Sequence, residues 1–510
     1  MSAYTGKDLT ADVEIACDVC VVGTGAGGAV LAAGLAERGL KVVMLEEGGY
    51  VTSDQFDLRE TNMFPKLYQE RGTRATADLA IAILQGRSVG GSTTVNWTTC
   101  YRTPERILAH WQKVHGLEGL DPETLRPHFE AIEARLSIAE WPLEMVNANN
   151  RVLVDGCAKL GWEVSPLRRN VKGCVNSGYC GVGCVVDGKQ SMLITYVPDA
   201  LAAGADLFAD TRASRLEMSG DRVVAVHAEV LDAATGRPTG VKVVVRPKVT
   251  AVCGGAINSP ALLLRSDLSE GGVGRRTFLH PVVAMGAAWD HPIEGWAGAP
   301  QSAASHQFID RGPDKVGFFL ECPPMQPMLA STGFIGFGAG KQDRMANLGR
   351  FSTLLALSVD GLLPGDDGGT VSLRSDGRVR VDYPITAPFV ESFRAAHDTM
   401  ARILLAAGSK QVTSLHLQPI ELSSDADLQR LAAAPYGAIE HPIFTAHQMG
   451  GCAMGKDPAT SVVDADLRHH RVKNLFVVDG SALPTALGVN PSETIYGLSH
   501  RARDVVAAAV

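Results

Sequence analysis

Asp18-Val19-Cys20-Val21-Val22-Gly23-Thr24-Gly25-Ala26-Gly27-Gly28, continuing through AVLAAGLAER (29–38) to Lys41-Val42-Val43-Met44-Leu45-Glu46, is the stretch that decides the fold of this chain. A short, mostly β-branched segment breaks into a glycine turn. Small residues then follow at close spacing, as in a helix lying tightly on a sheet, and a second apolar segment closes the unit. Gly23, Gly25 and Gly28 satisfy G-x-G-x-x-G in the setting that gives the pattern meaning, after a strand and at the opening of a helix. The first glycine permits the tight turn, the second lets the backbone approach a pyrophosphate, and the third allows helix and strand to pack closely. The helix N-terminus favours the negative charge. Glu46 lies 23 residues beyond Gly23, at the end of the second strand, where a carboxylate accepts hydrogen bonds from a ribose 2′-OH. The segment predicts a β-α-β unit holding the ADP half of a dinucleotide and does not choose between NAD and FAD.

Working outward, 510 residues exceed the size at which one hydrophobic core usually keeps growing, so two packed units are expected. The 54 glycines exceed the usual share of about 7% and sit in tight clusters, which implies close backbone approach to a bound group. A net charge of −8 provides no basic field for nucleic acid or anionic lipid. No run approaches the roughly 18 consecutive apolar residues of a membrane span. The first twenty residues lack a basic segment followed by an apolar one, so no secretory signal is read and the expected compartment is cytoplasmic. Ten cysteines are too sparse over this length for a disulfide scaffold.

A second glycine-rich loop runs from Gly86 to Asn96, and a cysteine-bearing loop covers residues 170–189. From Thr211 to Val252 apolar and polar residues alternate between turns at SGD (219–221) and TGRP (235–238), which predicts several antiparallel strands. Residues 290–440 carry no recognisable motif, and the last 70 are dense in motifs. No period of 20 to 50 residues is present, which argues against a solenoid or propeller.

The loop Gly86-Arg87-Ser88-Val89-Gly90-Gly91-Ser92-Thr93-Thr94-Val95-Asn96 resembles the flavin loop of the glucose-methanol-choline (GMC) oxidoreductases. Gly255-Ala256-Ile257-Asn258-Ser259-Pro260 resembles that family's second signature, and HQMGGCAMG (447–455), residues 462–485 and GVNPSETIYGL (488–498) resemble its C-terminal motifs. Four separated motifs in the family's order span nearly the whole chain. The resemblance selects FAD over NAD and implies an α/β fold: an FAD-binding, Rossmann-like, doubly wound domain assembled from residues 14–110, 190–290 and 440–510. An α+β substrate-binding domain with an antiparallel sheet is expected from residues 111–189 and 291–439. Carried over by position, it places FAD against Gly23, Gly25, Ala26, Gly28 and Glu46; against Gly86, Arg87, Gly90, Gly91, Thr94 and Asn96; and against Ala213, Asp479, Gly480, Asn490, Pro491 and Thr494. Some family members tether the flavin through a histidine just before the loop asparagine. Val95 stands at that position, so noncovalent FAD is expected.

His447 matches the family's catalytic histidine and Asn490 its partner. Alcohol oxidation sends a hydride from carbon to flavin N5 and a proton from oxygen to a base; an imidazole takes the proton and an amide holds the oxygen. The expected reaction is oxidation of a primary or secondary alcohol to an aldehyde or ketone, with O2 or another electron acceptor downstream. The apolar, methionine-bearing stretch 320–360 favours a hydrophobic or aromatic alcohol. A sugar or glycoside dehydrogenase is the alternative within the class, and a GMC-like lyase or photodecarboxylase the alternative outside it.

His441-Pro442 and His280-Pro281 read as structural, His280 because Leu279 replaces the acid of the family's Asp-His-Pro element, and His469 and His470 read as a solvated turn. No metal-ligand set is recognised. Cys174, Cys180 and Cys184, within eleven residues, resemble the cysteine loop of the long-chain alcohol oxidase branch. An iron–sulfur cluster would need a fourth thiolate and a standard spacing, so a disulfide or reduced thiols are the preferred readings.

Overall fold

A computed structural model of the chain describes residues 2–510. Strand Val13–Val22, helix Ala26–Ala36 and strand Val42–Leu45 follow one another, and the two strands pair in parallel, Val19 opposite Val42 and Val22 opposite Leu45. Every residue of the helix from Gly27 to Ala36 is buried, because one side covers the sheet and another meets helix Ser492–Ala507. Ser499 Oγ–H there donates to the carbonyl of Gly27 at 2.6 Å. Small residues are what allow both approaches at once.

Strands Asp206–Phe208 and Ser2–Tyr4 extend this parallel sheet on one side. On the other lies Pro238–Val252, which is two strands in one. Its first part pairs antiparallel with Arg222–Leu231, which in turn pairs with Thr211–Ser219. From Val243 onward it runs parallel to Val13–Val22, and its end also pairs with Leu475–Val477. The expected antiparallel strands are therefore present, but the last continues into the centre of the parallel sheet. The burial pattern records the change: alternation holds as far as Lys248, and Val249 to Val252 are all buried. An alternating strand has one solvated face and a central parallel strand has none.

The second sheet is largely antiparallel, in the order Glu421–Leu422, Gln411–Ser414, Val282–Ala288, Phe351–Ser358, Phe318–Glu321, Ala303–Ser305 and Ser165–Pro166. The motif-poor residues 290–440 supply most of it. Strand Ile443–Thr445 meets Val282 and pairs in parallel with Ile81–Ile83. These two strands and Val282–Ala288 lie in segments expected to form the cofactor unit, yet they hydrogen-bond in this sheet. Period-two geometry sends successive side chains to opposite faces. Val283, Met285, Phe318, Leu354 and Ala356 join one core with helices Ala148–Leu160 and Ala387–Ala407, whereas Val282, Phe319, Leu355 and Leu357 join the core of the first sheet. Both faces are covered, so FSTLLALS (351–358) shows no clean alternation. Among the described residues no helix is long and apolar enough to cross a membrane.

Helix Ala387–Ala407 presents Phe389, Phe393, Ala396, Met400, Ile403 and Leu404 to the second core, a stripe of i, i+3 and i+4 spacing. Phe393 is fully buried in it. Phe393→Ala is expected to lower stability by about 3–5 kcal/mol through lost transfer energy and a residual cavity, measured as a shift in denaturant midpoint.

Candidate active site

A cavity of about 690 Å³ is lined by residues of both sheets, including the glycine turn, Glu46, His447 and Asn490. Gly23 has φ +106°, and a Cβ there would lie 2.4 Å from the carbonyl oxygen of Cys253; a Cβ on Gly28 would lie 1.9 Å from the carbonyl oxygen of Gly23. Both glycines are demanded by protein atoms. Gly25 differs, because a Cβ there would meet only Gly91 Cα, at an ordinary 3.6 Å, and the residue lines the cavity at the start of helix Ala26–Ala36. The cradle at this helix N-terminus fits a pyrophosphate in shape and in charge.

Glu46 is buried, and its carboxylate accepts from Thr24 N–H at 3.0 Å, Thr24 Oγ–H at 2.7 Å and Gly48 N–H at 2.8 Å. Burial raises its pKa against the pull of these donors. Thr24 Oγ also accepts from Gly90 N–H at 3.1 Å, so one hydroxyl joins the glycine turn, Glu46 and the second glycine loop. Asp479 plays the same part elsewhere. One carboxylate oxygen takes Gly255 N–H and Ser259 Oγ–H and the other takes Ser481 N–H and Oγ–H, at 2.5–2.8 Å, which fastens the second family-like signature to the C-terminal one.

The loop at Gly91 lies directly on the glycine turn: a Cβ on Gly91 would fall 2.7 Å from Gly25 Cα. Behind the loop, the buried ammonium of Lys189 donates to the carbonyls of Thr94, Asn96 and Cys180. Burial lowers its pKa to about 8. The cysteine loop thus acts through backbone and lysine. Cys174, Cys180 and Cys184 are unpaired thiols, the second of the two preferred readings.

His447 reaches the cavity from the segment after strand Ile443–Thr445. Its Nδ1 lies 3.1 Å from His280 Nδ1 and its Nε2 lies 3.2 Å from Asn490 Nδ2, while Gly488 N–H donates to His280 Nε2 at 3.2 Å. A backbone N–H can only donate. His280 therefore accepts at Nε2, carries its hydrogen on Nδ1 and gives it to His447, which keeps its own hydrogen on Nε2. This arrangement asks Asn490 to turn its carbonyl oxygen toward His447 by a half-turn of the amide. The same half-turn gives Asn490 Oδ1, a buried oxygen otherwise without a partner, the His447 Nε2–H to accept from. The opposite arrangement has Asn490 donating to His447 Nε2 and His447 Nδ1–H donating to His280. It leaves His280 Nε2–H facing Gly488 N–H, which costs about 1–3 kcal/mol. Burial pushes the His447 pKa down to about 4, and burial with the neighbouring His447 pushes that of His280 well below the usual imidazole range. Burial raises Glu321 to about 8.

Of the sequence-expected cofactor residues, Gly23, Gly25, Ala26, Glu46, Gly86 and Gly91 line the cavity, as do Asn96, Ala213, Asp479, Gly480, Asn490 and Pro491. Gly28, Arg87, Gly90, Thr94 and Thr494 stand behind its wall. Gly28 serves helix packing, Arg87 pairs with Glu47 at 3.1 Å, Thr94 Oγ–H donates to the Val89 carbonyl and Thr494 bonds Thr103. Thr24, Lys189, Glu321 and Trp97 lie outside the residues expected from the sequence, and His280, expected to be structural, bonds His447. Glu321 carried a signal, a lone acid inside the apolar run FFLEC (318–322), since a buried charge needs a reason. Of the apolar stretch 320–360, only Leu355 and Leu357 reach the cavity; Phe334, Leu348 and Met325 form a separate cluster.

Residues 64–282 and 364–499 match the sequence profiles of the GMC oxidoreductase family. An uncharacterised GMC-type oxidoreductase of Mycobacterium tuberculosis is 32% identical over 504 residues, covering 97% of this chain and 76% of the relative. A long-chain-alcohol oxidase of Arabidopsis thaliana is 30% identical over 514 residues, covering 96% of this chain and 68% of the relative. The fold is shared with a pyridoxine 4-oxidase from Mesorbium loti, at a TM-score of 0.71 and 22% identity over 96% of this chain and 99% of that one. A glycine-turn cradle, two carboxylates that clasp the surrounding loops, and matches to both halves of one family make this chain a member of the GMC oxidoreductases, a family of FAD-dependent flavoproteins.

Proposed function

We propose that this protein oxidises the CH–OH group of a hydrophobic or aromatic alcohol to the aldehyde or ketone, with His447 as general base and Asn490 holding the hydroxyl oxygen. The observation that carries the reading is the meeting of His447 Nε2 and the Asn490 amide, 3.2 Å apart, on a cavity that also takes in the glycine turn. FAD, when bound there, supplies the two-electron acceptor. Val95, an aliphatic side chain, offers no tether, which supports noncovalent binding. The long-chain-alcohol oxidases among the relatives support an alcohol as substrate and O2 as one acceptor. Val282, Leu355, Leu357, Phe444 and Trp97 on the cavity wall support an apolar one.

The base form of His447 has its lone pair on Nε2, facing the Asn490 amide, and that is the less favoured of the two proton arrangements. Reaching it costs the opposed donors at Gly488, about 1–3 kcal/mol. His280 therefore sets how often the base is ready.

Anaerobic mixing of the yellow protein with a panel of alcohols should bleach the flavin absorption, fastest with apolar alcohols. Absence of bleaching by any alcohol overturns the reading. The pH profile follows from His447. A base works deprotonated, and burial has lowered this imidazole from 6.5 to about 4, so the active range extends toward acid. The acid limb of kcat/KM is expected near pH 4, and a limb at 6.5 or above would remove His447 as the base.

A further inference from the structure

We propose that His397, His416 and His441 form a binding site for one divalent first-row transition-metal ion of the zinc class, where helix Ala387–Ala407 meets the second sheet. None of the three lines the cavity. His397 projects from that helix, His416 follows strand Gln411–Ser414, and His441 precedes strand Ile443–Thr445. They are 0%, 1% and 2% exposed. One ring nitrogen from each can be chosen so that all three lie within 4.8 Å of one another.

The ring geometry matches a shared ion. Zinc–nitrogen bonds of about 2.0–2.1 Å in a tetrahedral sphere put three imidazole centres roughly 5 Å apart. Here they are 5.3, 5.0 and 4.6 Å apart. The hydrogen bonds leave at least one nitrogen of each ring free. His397 Nδ1–H donates to the Phe393 carbonyl at 2.9 Å and His416 Nδ1 lies 3.0 Å from Ser414 Oγ, while the Nε2 atoms of all three rings, and Nδ1 of His441, have no partner. Holding the outer nitrogen in a hydrogen bond while the inner one is free is how metal-ligating histidines are oriented. A buried polar atom left alone costs about 1–3 kcal/mol, and three rings that each hold one and can bring a nitrogen within 4.8 Å of the others call for a common partner. Three imidazoles without a carboxylate select zinc, copper or nickel over calcium or magnesium. The Ala284 carbonyl approaches His397 and His441.

Spacings of 19 and 25 residues match no metal motif, which is why the sequence gives no sign of the site. Closed off from the cavity, the ion is structural. It would staple the helix to His441-Pro442 and hence to the strand that leads to His447.

Untagged protein isolated with FAD bound is expected to carry about one equivalent of zinc by elemental mass spectrometry. After chelation it should take up Co2+ with the d–d bands of a low-coordinate site, to the red of flavin absorption. His416→Asn and His397→Asn, tested separately, should each lower Zn2+ and Co2+ uptake roughly tenfold or more, with flavin absorption and circular dichroism retained. The site is overturned by wild-type protein that carries no first-row metal and takes up no Co2+, or by folded variants that bind as well as wild type. The wild-type measurements decide the matter even if a variant fails to fold.

Discussion

Replacing His447 by alanine is expected to lower kcat and kcat/KM together by about 10²–10⁴-fold, or roughly 3–5 kcal/mol. The two fall together because proton removal belongs to the transition state, whereas a residue that only bound substrate would raise KM alone. FAD should stay bound in His447→Ala. The contacts that shape its cradle are elsewhere: Thr24 bridging Glu46 to Gly90, and Asp479 bridging Gly255 to Ser481. A yellow protein that is bleached slowly, or not at all, by the best alcohol is the expected result. Bleaching at an undiminished rate would show that His447 is not the base.

The second large effect separates cofactor binding from folding within one turn. Gly25→Val should yield a folded but colourless protein, with FAD affinity lowered by more than about 100-fold, roughly 2.7 kcal/mol. Beyond its two chain neighbours no protein atom lies nearer than 3.6 Å to its Cβ position, so the side chain enters the cavity rather than the core. Gly28→Val should instead abolish the folded protein, since its Cβ would sit 1.9 Å from the backbone oxygen of Gly23 and 3.0 Å from the Cys253 side chain. Overpacking against backbone cannot relax by a change of rotamer. Flavin content and circular dichroism of the two variants provide the readout. A Gly25→Val protein with its full complement of FAD would place the cofactor somewhere other than this cavity.

What was legible in the sequence follows from how far each physical rule reaches. The β-α-β unit is written in residues 18–46 alone, because glycine at a positive φ, small residues on a tightly packed helix and β-branched strands are local requirements. The meander between Thr211 and Val252 was visible for the same reason. Its continuation into the parallel sheet was not, since that depends on pairing with Val13–Val22 more than two hundred residues away. Residues 290–440 were opaque because a sheet covered on both faces does not show the alternation by which strands are recognised.

The amino-acid sequence by itself determined the dinucleotide turn, the glycine loops that permit close backbone approach, and the presence of His447 and Asn490 in family-like motifs. Only the tertiary structure decided that His280, 167 residues from His447, shares a hydrogen with it, and that Gly488, 208 residues from His280, fixes which ring supplies that hydrogen. It also decided that Lys189 braces the second glycine loop from behind, and that three histidines without a common motif come together with one ring nitrogen of each within 4.8 Å of the others. Helix and strand periodicities act over a few residues, whereas proton direction and ligand convergence are set by which side chains packing brings within about 3 Å of one another, and neither spacing nor composition carries that information.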